Sequence, residues 1–344
     1  MKHKFEDHPV WNRRVFLRNM AFLALAEAGA SAFSTAFAQA GAAPAKTTLI
    51  LLGTQGGPNV SLMRSEAASV VIAGGQPYLV DCGYGTVRAL VEAGIRINDI
   101  RNIFLTHLHN DHTSDLAALL SHKWTGGQNN PPPAAVYGPF GTKALVDAAL
   151  AFFKADAEIR MTDEGRTVRP ETLYTGHDVS APKITEVFRD ERVTVSAVEN
   201  THFPDRAKEK MPYRSFAYRF NMPDRSIVFS GDTAYSTGLI ELAREADVLV
   251  CEVRGTGAGP AQPQADGRGA ASAGESIARH VIETHSSTED VGRMAAAAKV
   301  KTVVLTHQVG GAGPRGGPAA DPYTAEIRKF FDGEIVVGRD QLRI

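Results

Sequence analysis

The 344-residue sequence contains only two cysteines, Cys82 and Cys251. Each adjoins an apolar strand-like run, so a disulfide framework and thiolate metal ligands are set aside and two buried free thiols are expected. Charge of one sign is lacking too. With 37 basic against 38 acidic residues, no basic surplus marks a nucleic-acid cleft or a polybasic membrane patch, and no nucleic-acid partner is expected. Beyond Thr47 there is no long linker and no charge run, which points to one domain. An apolar content of 43% is enough for a sizeable core.

Long hydrophobic runs are scarce as well. The N-terminal candidate, Met20 to Phe37, is alanine-rich and weakly apolar. It follows Asn12-Arg13-Arg14-Val15-Phe16-Leu17-Arg18 and ends in Ala36-Phe37-Ala38-Gln39-Ala40. Residues 1–40 therefore resemble a twin-arginine export signal with a small-residue cleavage site. Glu27 and the Gly and Ser content disfavour a permanent membrane anchor. The resemblance implies handling by the twin-arginine export machinery and a periplasmic protein that takes up its metal before export. Cleavage removes five basic and three acidic groups, leaving 32 against 35.

Histidine, by contrast, is concentrated. In Thr106-His107-Leu108-His109-Asn110-Asp111-His112, three imidazoles and a carboxylate occupy six residues between the apolar run Ile103-Phe104-Leu105 and the amphipathic stretch Asp115 to Leu120. In an extended stretch His107 and His109 point the same way and can chelate one ion. A turn lets Asp111 and His112 face a second.

Three further apolar runs end on a metal-competent side chain. Val193 to Val198 leads to His202, Ser226 to Gly231 to Asp232, and Lys301 to Thr306 to His307. With Ile103 to Thr106, four strand ends aim ligands at one rim. A fifth run, Ala246 to Cys251, ends at Glu252, read as a supporting carboxylate rather than a ligand. Asp81, at another strand end, reads equally as a partner that orients a histidine and as a turn cap. His285 precedes Ser286-Ser287-Thr288-Glu289, a capping box that opens a helix from Asp290 to Ala298. Such a helix start attracts an anionic substrate oxygen and keeps an adjacent imidazole neutral, which suits a substrate-handling histidine. His122, His177 and His280 fall outside any cluster and read as ordinary histidines.

Other elements follow from pattern. A helix is expected from Thr142 to Lys154, and a helix to Phe331 with Asp321 as N-cap and Pro322 at its first position. Trp124, beside the Gly- and Pro-rich loop 126–133, either lines a substrate mouth or closes a core. The Gly-rich stretches 255–274 and 310–317 flank the rim and read as lids or as plain insertions.

With this ligand set, residues 41–344 resemble the metallo-β-lactamase-fold hydrolases, nearest the ribonuclease Z and arylsulfatase branch. The shared features are Leu52-Gly53-Thr54, Asp81-Cys82-Gly83, Gly138-Pro139, Tyr218-Arg219-Phe220, Gly231-Asp232-Thr233 and His285 with its serine-rich continuation. The resemblance implies an α/β fold, a four-layer αββα sandwich with metals at one edge of two sheets. It also implies that His107, His109 and His202 hold a first ion, that Asp111, His112 and His307 hold a second, and that Asp232 bridges both. Two features depart from ribonuclease Z: only thirty residues separate His202 from Asp232, leaving no room for a long tRNA-clamping arm, and Tyr84 replaces an acidic residue. Both argue against tRNA as the substrate.

The expected activity is hydrolysis of a small phosphodiester or sulfate ester. Two divalent ions about 3.5 to 4 Å apart can share a water, lower its pKa to near 7 and hold it as a hydroxide in line with the substrate. Asp111 would orient that hydroxide, and His285 would hydrogen-bond the substrate anion or protonate the leaving oxygen. Zinc is the default metal for these ligands, with manganese or iron as alternatives. A lactonase or β-lactam hydrolase would use the same chemistry on a carbonyl, and a non-hydrolytic redox scaffold is a third reading. An anionic ester needs cations such as Arg206, Arg214 or Arg254 near the ions; a lactone needs an apolar slot.

Overall fold

The computed structural model describes residues 46–254, 279–309 and 320–344. The expected export signal, the two Gly-rich stretches 255–274 and 310–317, and the side chains of Asp321 and Pro322 lie outside the described residues.

Strict alternation within short apolar runs generates the layers. In β1 (Thr48–Gly53), Leu49 and Leu51 join one apolar cluster while Ile50 and Leu52 join another, as a strand buried on both faces requires. The first sheet adds β2 (Ala68–Ala73), β3 (Gln76–Val80), β4 (Asn102–Phe104), β5 (Ala134–Gly138) and β6 (Tyr174–Asp178). The second contains β7 (Thr185–Arg189), β8 (Thr194–Glu199), β9 (Phe216–Asn221), β10 (Ser226–Phe229), β11 (Val248–Arg254), β12 (Thr302–Val309) and β13 (Glu334–Val337). The last strand, β14 (Leu342–Arg343), returns to the first sheet beside β1. The orders are β14-β1-β2-β3-β4-β5-β6 and β13-β12-β11-β10-β9-β8-β7.

Three apolar clusters result. One joins the first sheet to helices such as Leu116–Gly126, one lies between the sheets, and one joins the second sheet to helices such as Thr288–Ala298. Three apolar layers require four layers of secondary structure, so the chain is the expected αββα sandwich. The β2–β3 hairpin turns at Gly74 and Gly75, with φ of 55° and 80°, a geometry that glycine adopts without steric cost.

Three local expectations change, the first being the C-terminal helix, which spans Ala320–Ile327, so that Asp321 is not its N-cap and it stops short of Phe331. The helix expected from Thr142 to Lys154 is two helices, Thr142–Phe152 and Lys154–Asp163, broken at Phe153, whose buried ring docks in the core. Trp124 is fully buried, and its indole N–H donates to the Val168 carbonyl at 3.0 Å, so it closes the core. Cys82 and Cys251 are buried free thiols, as expected.

Lys123, one residue earlier, is buried with only long contacts of 3.5 and 3.4 Å to the carbonyls of Ile97 and Asn98. Burial, then the nearby Arg101 charge, brings its pKa down to about 8. Between about pH 8 and its ordinary value the unfolded chain binds a proton that the folded chain lacks, so the cost of this lysine is greatest below pH 8. Lys123→Met is expected to raise Tm by a few degrees at pH 7, with the gain shrinking toward pH 10, as read by calorimetry.

Candidate metal centre

The histidine-rich loop leaves β4 and is pinned from below. Asp81 N–H donates to Phe104 O at 2.9 Å, and Cys82 N–H donates to His112 O at 2.8 Å. A single 3-10 turn, Asn110–His112, brings Asp111 and His112 round to the same rim, with the His107 and His112 ring centroids 4.1 Å apart. His107 Nε2 and His109 Nδ1 lie 3.0 Å apart, and His202 Nε2 lies 3.2 Å from the same His109 nitrogen. These spacings resemble the edge of a tetrahedral site, about 3.4 Å for zinc–nitrogen bonds near 2.1 Å. His202 is oriented by its Nδ1, 3.2 Å from the Thr284 carbonyl.

The second group, Asp111, His112, Asp232 and His307, draws on three places in the chain. β12 pairs with β11 in register up to Thr306 opposite Glu252, and then Gln308 stands opposite Val253. His307 is therefore the extra residue of a bulge, with φ of 41°. A left-handed backbone costs a non-glycine residue roughly 1–2 kcal/mol, and here it turns the imidazole into the site. His307 Nε2 lies 3.1 Å from Asp111 Oδ2 and 3.3 Å from Asp232 Oδ2. Gly57 N–H donates to Asp111 Oδ2 at 3.0 Å, and a Cβ at Gly57 would sit 2.1 Å from that oxygen, so only glycine fits there.

Asp81 resolves toward the histidine. Its Oδ2 lies 2.9 Å from His112 Nδ1 while its Oδ1 accepts the Thr106 N–H at 2.8 Å, which aims His112 Nε2 inward. Asp232 stands between the groups, with Oδ1 3.3 Å from His112 Nε2 and Oδ2 3.8 Å from His107 Nε2. Thus all seven expected ligands, His107, His109, Asp111, His112, His202, Asp232 and His307, meet at one rim, reached from β4, β8, β10 and β12.

The donor set fits divalent cations. His112 Nε2 and Asp232 Oδ1 are buried and make no hydrogen bond, although they face each other. Buried polar atoms without partners are costly, and a cation would satisfy both. Among the described residues, His107, His109 and His202 form one group able to hold an ion and Asp111, His112, Asp232 and His307 another, all nitrogen and oxygen donors. Burial holds the His107 and His202 pKa values well below normal. Burial also opposes charge on His112, but Asp232, Asp81 and Asp111 outweigh it and lift its pKa well above normal. For Asp232, burial is outweighed by His307 and His112, and for Asp111 by the same two imidazoles, so both carboxylates stay ionised.

His285 is built differently from its sequence reading. The capping box is Ser287 with Asp290, opening the helix Thr288–Ala298, so the helix start is occupied by its own side chains. Glu252 Oε2 lies 2.8 Å from His285 Nδ1, and Glu252 Oε1 accepts the Thr233 N–H. Burial opposes charge on His285, but the Glu252 carboxylate prevails and pushes its pKa up to about 9. The imidazole is thus charged at neutral pH, where the helix terminus alone would have kept it neutral.

His280 was not legible as a site residue. It stands beside His202 and His285, with donor atoms of all three within 4.8 Å of one another. Its proximity to His202 depends on tertiary packing, and the sequence signal was only its spacing of five from His285. Arg206 pairs with Glu283, and Arg214 donates to the carbonyls of Met211 and Tyr213. Arg254 follows Glu252 by two along β11 and shares its sheet face; its buried Nε has no acceptor among the described residues.

A sequence profile described as the Beta-lactamase superfamily domain matches residues 77–308. The chain belongs to the metallo-β-lactamase superfamily. Ribonuclease Z of Mycobacterium sp. (strain KMS) is 31% identical over 296 residues, spanning 86% of this chain and 94% of that protein. Human tRNase Z, short form, superimposes with a TM-score of 0.59 at 22% identity, over 86% of this chain and 98% of that one. The metallo-β-lactamase fold protein YhfI from Bacillus subtilis gives 0.59 at 19% identity, over 87% and 98%. The two structural likenesses bear on the fold.

As a member of the metallo-β-lactamase superfamily with ribonuclease Z relatives, the chain is a hydrolase. The expectation of no nucleic-acid partner is overturned by those relatives, whose name denotes action on RNA. Its error was physical: net charge sums the whole surface, whereas a cation-binding site confers phosphate affinity locally and is not counted in composition.

Asp81→Asn keeps the Thr106 contact but removes the charge behind His112. It is expected to weaken zinc affinity roughly 10- to 100-fold in competition with a chelator, with the fold unchanged by circular dichroism.

Proposed function

We propose that this chain is a two-metal phosphodiesterase, with RNA among its substrates. In this reading His107, His109 and His202 hold one cation, Asp111, His112 and His307 the other, and Asp232 contacts both. The carrying observation is the position of Asp232, with one oxygen 3.3 Å from the second group's His112 and the other 3.8 Å from the first group's His107. Zinc is the proposed metal, since the donors are imidazole and carboxylate.

Cations at these donors supply Lewis acidity and lower the pKa of water to about 7. The protein does the rest. Asp111, kept ionised and fixed by Gly57 N–H, accepts a hydrogen bond from the attacking water and aligns it. His285, charged and held through Nδ1 by Glu252, presents its other N–H to the substrate and gives that proton to the leaving oxygen. The likeness to proteins named ribonuclease Z supports a phosphodiester over a lactone.

The test is a substrate panel on the zinc-loaded chain: bis(p-nitrophenyl) phosphate, an RNA oligonucleotide, an aryl sulfate, a lactone and a cephalosporin. Turnover of the diesters is expected; turnover of only the lactone or cephalosporin overturns the reading. His285→Ala is expected to lower kcat roughly 100-fold or more without loss of metal. The acid form of His285 is present below its raised pKa and lost as pH rises through it. Removing the Glu252 charge in Glu252→Gln therefore moves the alkaline limb of the rate profile to lower pH.

We infer also that residues 1–40 direct export to the periplasm by the twin-arginine route. Replacing both Arg13 and Arg14 by Lys is expected to retain a fused reporter in the cytoplasm, measured by cell fractionation. Periplasmic recovery unchanged by that replacement defeats the inference.

A further inference from the structure

One imidazole at the site has no part in the proposed hydrolysis. His280 lies on the helical segment 279–284, exposed, with its ring centroid 5.8 Å from that of His285 and 5.8 Å from that of His202. Its Nε2 makes only a 3.5 Å contact, to Thr284 Oγ1.

The neighbours differ in what they can offer. His202 is committed at both nitrogens, Nε2 toward His109 and Nδ1 toward the Thr284 carbonyl. His285 is committed at one: Glu252 takes Nδ1 at 2.8 Å and leaves Nε2 open. A carboxylate behind an imidazole is the arrangement that strengthens a histidine as a zinc ligand. The donor atoms of His202, His280 and His285 all lie within 4.8 Å of one another. Two nitrogens of a tetrahedral zinc site stand about 3.4 Å apart, so the His280 ring, exposed and held only by its 3.5 Å contact to Thr284 Oγ1, has to close on His285 to complete the site.

We propose that His280 and His285 capture a third zinc ion, and that this ion switches hydrolysis off. The proposal rests on the role given to His285 above. Zinc on Nε2 displaces the proton that His285 would donate, so the acid is removed while the fold and the first two ions are untouched. Two protein ligands bind more weakly than the three or four of the main groups, and the inhibition therefore begins only once those are filled. The exposure of His280 leaves the path from solvent open.

The test uses the full chain carrying two zinc equivalents. Calorimetric titration with further zinc is expected to show a third, weaker equivalent, and hydrolysis of bis(p-nitrophenyl) phosphate is expected to fall about tenfold as that equivalent fills. In His280→Ala, and again in His280→Gln, both effects should move to at least tenfold higher zinc, each variant being normalised to its own rate at two equivalents. A third equivalent that persists unchanged in both variants, or none in the wild type, overturns the proposal. If two-zinc protein hydrolyses no diester, the functional reading fails instead, and the calorimetric arm still decides whether His280 binds zinc.

Discussion

Buried donor atoms with nothing to bond to are the constraint on which the rest of this structure depends. His112 Nε2 and Asp232 Oδ1 are both removed from water and face each other at 3.3 Å without making a hydrogen bond. Crowded imidazoles and carboxylates of this kind are held in place by their neighbours. Asp81 grips His112, the Thr284 carbonyl grips His202 and Glu252 grips His285, each by a ring Nδ1, while Gly57 N–H bonds Asp111 at the same Oδ2 that faces His307. The inner ends are then free for a cation, and the metallo-β-lactamase sandwich acts as the clamp.

The clamp works because strand ends from both sheets meet at one rim. β3, β4 and β5 run parallel in the first sheet, and β10, β11 and β12 run parallel in the second. Parallel strands joined by crossovers place the following loops at the same edge, so residues 107–112, Asp232 and His307 are brought together by topology rather than by sequence proximity. The inter-sheet cluster, which includes Phe104, Phe229 and Val304, underlies that edge and fixes its depth. A bulge then corrects the last ligand: in regular pairing His307 would alternate with Thr306 and Gln308, and the extra residue turns it toward Asp111.

Charge at this site is local, and this explains both the success and the failure of reading it from composition. The balance of 37 basic and 38 acidic residues describes the whole chain, whereas the charge on His285 is set by one buried carboxylate that composition does not reveal. A neutral total is therefore compatible with relatives named for action on RNA.

The sequence by itself determined the layers, most strand positions and the choice of donors. Two-residue alternation is a local property, the motif His107 to His112 is contiguous, and a side chain just past an apolar strand must lie at a sheet edge. It could not determine partnership. Glu252 with His285, Asp81 with His112, Gly57 with Asp111 and His280 with His202 each join residues from different elements, chosen only when two sheets pack and a bulge sets the register. The break at Phe153 belongs with these, because a ring seeking the core outweighed a continuous helical pattern whose local energies are small.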